Sequence, residues 1–140
     1  MRALLILLAC FNLTVAFAQV VSPKKGSPER AAIVDALRAP VQKELKQKVQ
    51  FRVDLLRVQG GWAFIKVKPQ QPNGKSIDYS KTAYKEAIKA GAFDDWACAL
   101  LKKKGEKWTV ITFRLGATDV PYVDWPKQFG APKTIFDMPG

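Results

Sequence analysis

The chain has 140 residues and a formal net charge of +11, from 23 Lys and Arg against 12 Asp and Glu, and it contains no histidine. The missing imidazole excludes reactions that use a histidine base and metal sites with histidine ligands. Two cysteines are too few for a disulfide framework or a thiolate metal cluster. Hydrophobic residues make up 48% and charged residues 25%, which predicts one folded globular domain and no disordered chain.

The first 18 residues have the layout of a secretory signal peptide. Arg2 provides a basic start, residues 3–10 are continuously apolar, and the small residues Ala16 and Ala18 form a cleavage site. Because Asn12 interrupts the apolar run, it falls short of the ~20 residues that a membrane-spanning helix needs. We therefore expect cleavage after Ala18, a periplasmic or secreted protein, and no transmembrane segment after cleavage.

The mature chain is predicted to consist of an extended arm, residues 19–26, and one α+β domain, residues 27–140. Ser27 and Pro28 are typical of a helix start, as the capping residue and the first helical residue. Pro40 predicts either a kink or a helix that ends near Arg38 and restarts. Apolar residues recur every four positions and predict one buried stripe: Ile33, Leu37, Val41, Leu45 and Val49.

A first β-hairpin is predicted over residues 49–68, around Gly60 and Gly61. A three-residue loop, residues 59–61, would pair Leu55 with Ile65 and Val53 with Val67. A two-residue loop would instead place Leu55 opposite Lys66. Because apolar residues match better across the strands in the first register, we predict the three-residue loop.

A short helix over residues 80–90 and a second hairpin over residues 96–115 follow. Gly91 is expected to close the helix. A turn at Gly105 and Glu106 would pair Cys98 with Phe113, so the Cys98 thiol is predicted to be buried and unreactive.

Both predicted hairpins carry apolar side chains on both faces, and one helix can cover only one face of the sheet. On the second face we expect Leu56, Val58, Trp62 and Phe64 to lie together. The aromatic C-terminal segment is the predicted cover for that face, through Tyr122, Trp125, Phe129 and Phe136.

The order of elements resembles the cystatin and nuclear-transport-factor type of α+β fold, over roughly residues 27–116. The resemblance implies an N-terminal helix packed on a curled four-stranded antiparallel sheet, with a short extra helix and an aromatic C-terminal tail. Residues 36–38 (Ala-Leu-Arg), residues 62–64 (Trp-Ala-Phe) and the tail from Asp119 to Pro132 are also similar to segments of small uncharacterised exported bacterial proteins. Neither resemblance implies a catalytic residue or a cofactor.

Clustered basic residues beside tryptophan indicate a binding surface for an anionic partner, and they compete with the interpretation that the lysines only keep the protein soluble. The candidate binding residues are Lys66, Lys68, Lys102, Lys103, Lys104, Lys107, Trp62 and Trp108. Lysine outnumbers arginine, which is the better ligand for phosphate, and the chain is predicted to be exported. An acidic protein or an anionic envelope component is therefore the expected partner, and nucleic acid is not.

Two function classes remain open. The first is a non-catalytic exported binding module, such as an inhibitor, an immunity protein or an envelope accessory protein, with no catalytic residue, metal or cofactor. The second is a small-ligand-binding or lyase/isomerase-like enzyme with an Asp/Tyr pocket inside the curled sheet, as enzymes of the nuclear-transport-factor type have. Its candidate residues are Tyr79, Tyr84, Tyr122, Asp119 and Asp124. The adjacent pair Asp94 and Asp95 is more simply explained as turn residues.

Overall fold

The structure, a computed structural model, describes residues 18–139. The predicted signal peptide lies outside these described residues except for Ala18. The elements in chain order are helix α1 (Pro28–Leu45), strands β1 (Gln50–Gln59) and β2 (Trp62–Gln70), helix α2 (Lys85–Lys89), strands β3 (Ala97–Lys104) and β4 (Lys107–Leu115), and helix α3 (Trp125–Phe129). The four strands form one antiparallel sheet in the order β1-β2-β3-β4. The protein is thus an α+β domain in which a helix precedes a four-stranded meander.

Helix α1 begins as its sequence predicts but does not stop at its proline. The Ser27 hydroxyl oxygen accepts a hydrogen bond from the Arg30 N–H at 3.3 Å, which caps the first turn. The helix continues through Pro40 to Leu45, so the predicted ending near Arg38 is wrong. Proline inside a helix costs about 3 kcal/mol. Burial of the apolar stripe on both sides of Pro40 offsets this cost, since these side chains are fully buried against the sheet: Ile33, Leu37, Val41 and Leu45.

The first hairpin has a two-residue turn and a bulge, so its predicted register is only partly right. Gln59 pairs with Trp62, which leaves Gly60 and Gly61 as the turn and places Leu55 opposite Lys66. A bulge at Asp54 then shifts the register and restores the predicted pairing of Val53 with Val67. The extra residue reconciles the favoured glycine turn with apolar matching farther along the strands.

The second hairpin has the predicted turn and an unpredicted bulge. Lys104 pairs with Lys107, as a two-residue turn requires. A bulge at Ile111 shifts the remaining pairs by one residue, so Cys98 lies opposite Arg114 and not Phe113. This shift matters because it exchanges the faces on which the last residues of β4 lie.

The short helix predicted over residues 80–90 is divided into two pieces. A 3₁₀ turn spans Tyr79–Lys81, and α2 spans only Lys85–Lys89. The Thr82 hydroxyl lies between them and donates a hydrogen bond to the Tyr79 carbonyl oxygen at 2.7 Å. This local bond competes with continuous helix formation.

The two faces of the sheet have separate cores. On the face covered by α1, here called the helix face, the buried strand residues are Leu56, Val58, Ala63, Ile65, Val67, Ala97, Ala99, Leu101 and Trp108. On the opposite face, here called the tail face, they are Phe64, Cys98 and Leu100. The predicted grouping of Leu56 and Val58 with Trp62 and Phe64 is therefore wrong, because the two-residue turn places the first two on the helix face.

The C-terminal segment, residues 117–139, covers the tail face and is here called the tail. The tail packs around Phe64 of β2. The centroid of the Phe64 ring lies 4.7 Å from that of Tyr122, 4.8 Å from that of Phe136 and 6.4 Å from that of Trp125. These three tail side chains are at most 4% exposed, and Phe129 packs against them. The predicted role of the tail as the second cover of the sheet is seen in the structure.

None of the helices formed by residues 18–139 has the length and apolar character required to cross a membrane.

Candidate functional site

The basic residues of the sheet are segregated by face. Nine Lys and Arg residues lie on the four strands. Lys103 shares the helix face with Trp108, which lies opposite it. The strand register places the other eight on the tail face. These are Arg52, Arg57, Lys66, Lys68, Lys102, Lys104, Lys107 and Arg114. This separation concentrates positive charge around the aromatic cluster of the tail.

The cations of β2 have carboxylate partners within the fold. The Lys66 Nζ lies 3.2 Å from an Asp137 carboxylate oxygen and 5.6 Å from the centre of the Trp96 ring. The Lys68 Nζ lies 3.5 Å from Asp95. Both lysines were predicted to bind a partner, but their charges are already engaged by neighbouring parts of the chain.

The cations of β3 and β4 on the tail face have no such partners. Lys102, Lys104, Lys107 and Arg114 are here called the basic strip. Among the described residues, no carboxylate oxygen lies within 4 Å of their side-chain nitrogens. Lys104 and Lys107 lie directly opposite each other on the hairpin, and like charges in that position destabilise a sheet. The strip therefore presents four cations that no carboxylate of residues 18–139 pairs with, and two of them lie directly opposite each other.

Trp62 belongs to the same surface as the basic strip. It lies opposite Lys102, and the lysine Nζ is 4.5 Å from the centre of the indole ring. This cation–π contact positions one strip cation over an aromatic side chain that is itself only half-buried. Trp62 and Lys102 were both candidate binding residues, and the pairing of β2 with β3 brings them together.

The other predicted tryptophan–lysine pair faces the opposite side. The Lys103 Nζ lies 5.9 Å from the Trp108 ring centre, and Trp108 is only 4% exposed in the core beneath α1. The eight predicted binding residues thus fall into three places: the strip with Trp62, the Lys103–Trp108 pair on the helix face, and the ion-paired Lys66 and Lys68 on β2.

Arg114 is the strip residue that the sequence reasoning missed. In the predicted register it lies on the face opposite Cys98, away from Lys104 and Lys107. The bulge at Ile111 brings Arg114 opposite Cys98 and onto the tail face. The adjacent apolar residues of β4 leave the position of the bulge undetermined, so the sequence carried no usable signal for this residue.

Cys98 is fully buried on the tail face, beside Phe64 and Leu100. Burial raises the pKa of the Cys98 thiol to about 12, which suppresses the thiolate that a nucleophile requires. Its slow reaction with thiol reagents in the native state stays a prediction. Within residues 18–139, no group of three Cys, Asp or Glu side chains comes together as potential metal ligands.

The candidate tyrosines of the enzyme hypothesis lie in separate surroundings. The Tyr79 hydroxyl donates to Asp95, and burial together with this bond raises the pKa of Tyr79. The Tyr84 hydroxyl contacts Glu44 near the end of α1. The Tyr122 hydroxyl donates to the Asp137 carbonyl oxygen at 2.9 Å. Each hydroxyl is thus engaged in a different part of the fold.

One cleft does combine predicted acid and tyrosine residues. A surface cleft of about 350 Å³ on the tail face is lined by Asp54, Lys66, Trp96, Asp119 and Tyr122, with Val120. Asp119 is exposed there, so water surrounds the carboxylate that this hypothesis would place inside a closed pocket. Asp124, the other candidate, is exposed and precedes α3, where its side chain makes no capping bond.

Comparisons of the chain with protein-family models, with curated proteins and with solved structures find no match.

Proposed function

We propose that this protein is a non-catalytic exported binding module that docks an acidic protein on its basic strip. The observation that supports this proposal is the unpaired charge of the strip: Lys104 and Lys107 face each other, and no carboxylate oxygen of residues 18–139 lies within 4 Å of either. An acidic partner would supply the missing counter-charge. Trp62 adds aromatic contact area to the same surface, and tryptophan is enriched in protein interfaces.

A binding role fits the way in which both faces of the sheet are filled. The helix face is packed against α1, and the centre of the tail face is packed against the tail, so side chains fill the space between the sheet and each of its covers in residues 18–139. The described Asp and Glu side chains are all exposed or half-buried. Catalysis by a desolvated carboxylate therefore has less support than surface recognition.

Capture of partners from an extract of the cell envelope and medium tests this function. A strip variant carries Lys102, Lys104, Lys107 and Arg114 changed to Gln. A matched control carries the same loss of charge at exposed lysines elsewhere: Lys24, Lys25, Lys75 and Lys85. We expect the native chain and the control to capture acidic proteins, and the strip variant to lose them. Equal capture by both variants, or capture only of an anionic polymer or nucleic acid, would contradict the proposal.

A second proposal concerns the type of fold. We propose that the domain is of the cystatin or nuclear-transport-factor type, with strands that curl around the helix. The support is the order of elements, a long helix followed by an antiparallel meander whose one face packs against that helix. A crystal structure with four strands bent around α1 would agree, and a flat sheet would contradict the assignment.

Small-ligand binding at the Lys66 cleft is the second candidate function. It is favoured by one observation, the convergence of Tyr122, Asp119 and Lys66 on a cleft of about 350 Å³. Such a site would suit a small polar molecule that carries one positive and one negative group. Ligand-detected NMR with amino acids and hydroxy acids would test it, with Lys66→Met as the variant expected to lose the signal. Identical signals from the native chain and the variant would refute binding at this cleft.

A further inference from the structure

The two edge strands of the sheet differ in what protects them. At the β1 edge, Val21 pairs with Val58 through two backbone hydrogen bonds of 2.8 and 2.9 Å. At the β4 edge, the described residues provide no such partner strand. An unpaired edge presents backbone donors and acceptors that another polypeptide can use.

The hydrogen bonds of the neighbouring strands show which β4 amides point outward. The Lys103 N–H donates to the Gly61 carbonyl oxygen at 2.8 Å, so this residue of β3 points its backbone groups toward β2. In an antiparallel pair, its opposite residue then points away from β3. Lys103 lies opposite Trp108, and Leu101 lies opposite Val110. The backbone groups of Trp108 and Val110 therefore face the open edge.

On the helix face, two clefts lie along the seam between α1 and β4. One, of about 420 Å³, is lined by Ala32, Ala36 and Trp108 with the charged turn residues Glu106 and Lys107 at its rim. The other, of about 460 Å³, is lined by Pro40 and Phe113 together with Lys43, Glu44 and Lys46. Ala32 and Pro40 are about 12 Å apart along the helix axis at 1.5 Å per residue. Trp108 and Phe113 are about 13 Å apart along the strand once the bulge is discounted. The seam thus contains two clefts with apolar residues in their lining, and their spacing along α1 matches their spacing along β4.

On the tail face, the same edge is flanked by the basic strip. Lys107 and Arg114 lie on β4 itself, and Lys104 lies opposite Lys107 on the adjacent strand. A strand added to this edge would place alternate side chains over the strip and the others over the two clefts. An added strand would therefore bind best with acidic side chains on the tail face and apolar side chains on the helix face.

We propose that an extended segment of a protein partner, with alternating acidic and apolar residues, binds as a fifth strand along β4. This rests on the proposed function and specifies the docking mode. Backbone bonds at Trp108 and Val110 provide the pairing, and the alternation of chemistry fixes the register. A second copy of this chain is a poor occupant, because β4 against β4 would bring Lys107 and Arg114 close to their own like charges.

Amide hydrogen exchange with a designed probe tests this docking mode. The probe is a blocked peptide of about ten residues that alternates Glu and Val, and its control has the same composition with all Glu preceding all Val. We expect the alternating peptide to slow exchange at Trp108 and Val110 by roughly tenfold, because both amides gain partners. The control peptide should leave these two amides unchanged. Equal effects of both peptides would show that only the total charge of the peptide matters, and they would overturn the proposal.

A proline substitution separates edge pairing from strip charge. Val110→Pro removes a backbone donor that faces outward, a change that edge strands tolerate, whereas Val110→Thr keeps the donor. We expect the proline variant to lose the alternating peptide and the threonine variant to bind it, with equal melting temperatures showing that both fold. If the proline variant unfolds, peptide protection of the Trp108 and Val110 amides in the native chain decides the question.

The capture and exchange experiments together separate failure of the edge-docking proposal from failure of the proposed function on which it rests. If the strip variant loses its acidic partners while the β4 amides stay unprotected, the partner lies on the flat tail face and edge docking is refuted. If the strip variant keeps those partners and the peptide has no effect, both proposals fail. Protection of the two amides, together with loss of binding in Val110→Pro, supports both.

Discussion

The two faces of the sheet are buried through different chemistry. The helix face is lined by aliphatic residues and Trp108, and one amphipathic helix covers it. The tail face has an aromatic centre around Phe64, ringed by eight cations and covered by a segment with little regular structure. The helix face therefore relies on aliphatic packing beneath a helix, whereas the tail face combines aromatic packing with a charged surface.

The irregular cover can satisfy cations that a helix cannot. The Arg57 guanidinium donates to the Phe136 carbonyl oxygen at 3.0 Å, while Lys66 lies by the Asp137 carboxylate. The free backbone carbonyls and short acidic side chains of the tail can approach the sheet closely, because helical hydrogen bonding does not occupy them. The basic strip on β3 and β4 receives no such carboxylate from the tail among the described residues.

Removal of the tail, residues 117–140, is expected to have the largest effect. Each large aromatic side chain of the tail contributes about 1.5–3 kcal/mol on burial, and the sum approaches the whole stability of a domain this size. We expect the truncated chain to unfold or melt far lower and to bind a hydrophobic dye. An unchanged melting temperature would show that the helix face alone stabilises the fold.

The centre of the tail face is tested by a single truncation. Phe64→Ala should lower the free energy of unfolding by about 3–5 kcal/mol, since it removes the ring that three tail aromatics contact. Phe51→Ala, the same change at a half-buried position of the helix face, is the matched control and should cost less. Urea unfolding of both variants measures the difference. A smaller loss for Phe64→Ala than for Phe51→Ala would place the energetic centre on the helix face.

Alkaline pH should weaken the tail face through Cys98. The folded thiol keeps its proton up to a pKa of about 12, whereas the unfolded thiol releases it near 9. Between these values the unfolded state binds fewer protons, so stability falls as pH rises, by up to about 1.4 kcal/mol per pH unit. Thermal melts at pH 8, 9 and 10 measure the decline, and Cys98→Ala should flatten it. An equal decline in that variant would assign the effect to other groups.

The smallest effect concerns the like-charge pair of the strip. Lys107→Glu creates an attractive pair with Lys104 and should stabilise the hairpin by about 0.2–1 kcal/mol while weakening capture of the acidic partner. Lys107→Gln should lie between the native chain and Lys107→Glu in both stability and partner capture. Gain of stability with undiminished capture would show that the strip charge at this position serves no partner.

Local chemistry in the sequence determined where several elements begin and turn. Ser27 caps α1 and Pro28 opens it because these residues act on their own backbone neighbourhood. The turn at Gly105 and Glu106 and the last helical turn before Gly130 follow from glycine in the left-handed region. The presence of one helix and two hairpins was therefore predictable without tertiary information.

The register of the hairpins and the makeup of the basic strip were decided by tertiary structure. A bulge at Asp54 and another at Ile111 each move the following residues by one position, which changes the face on which they lie. Both faces of this sheet are partly apolar, so the alternation of residues along a strand does not say where a bulge belongs. Only the simultaneous packing of α1 on one face and the tail on the other selects the arrangement. That selection places Arg114 on the same face of β4 as Lys107, buries Cys98 beneath the tail, and leaves the edge of β4 open among the described residues.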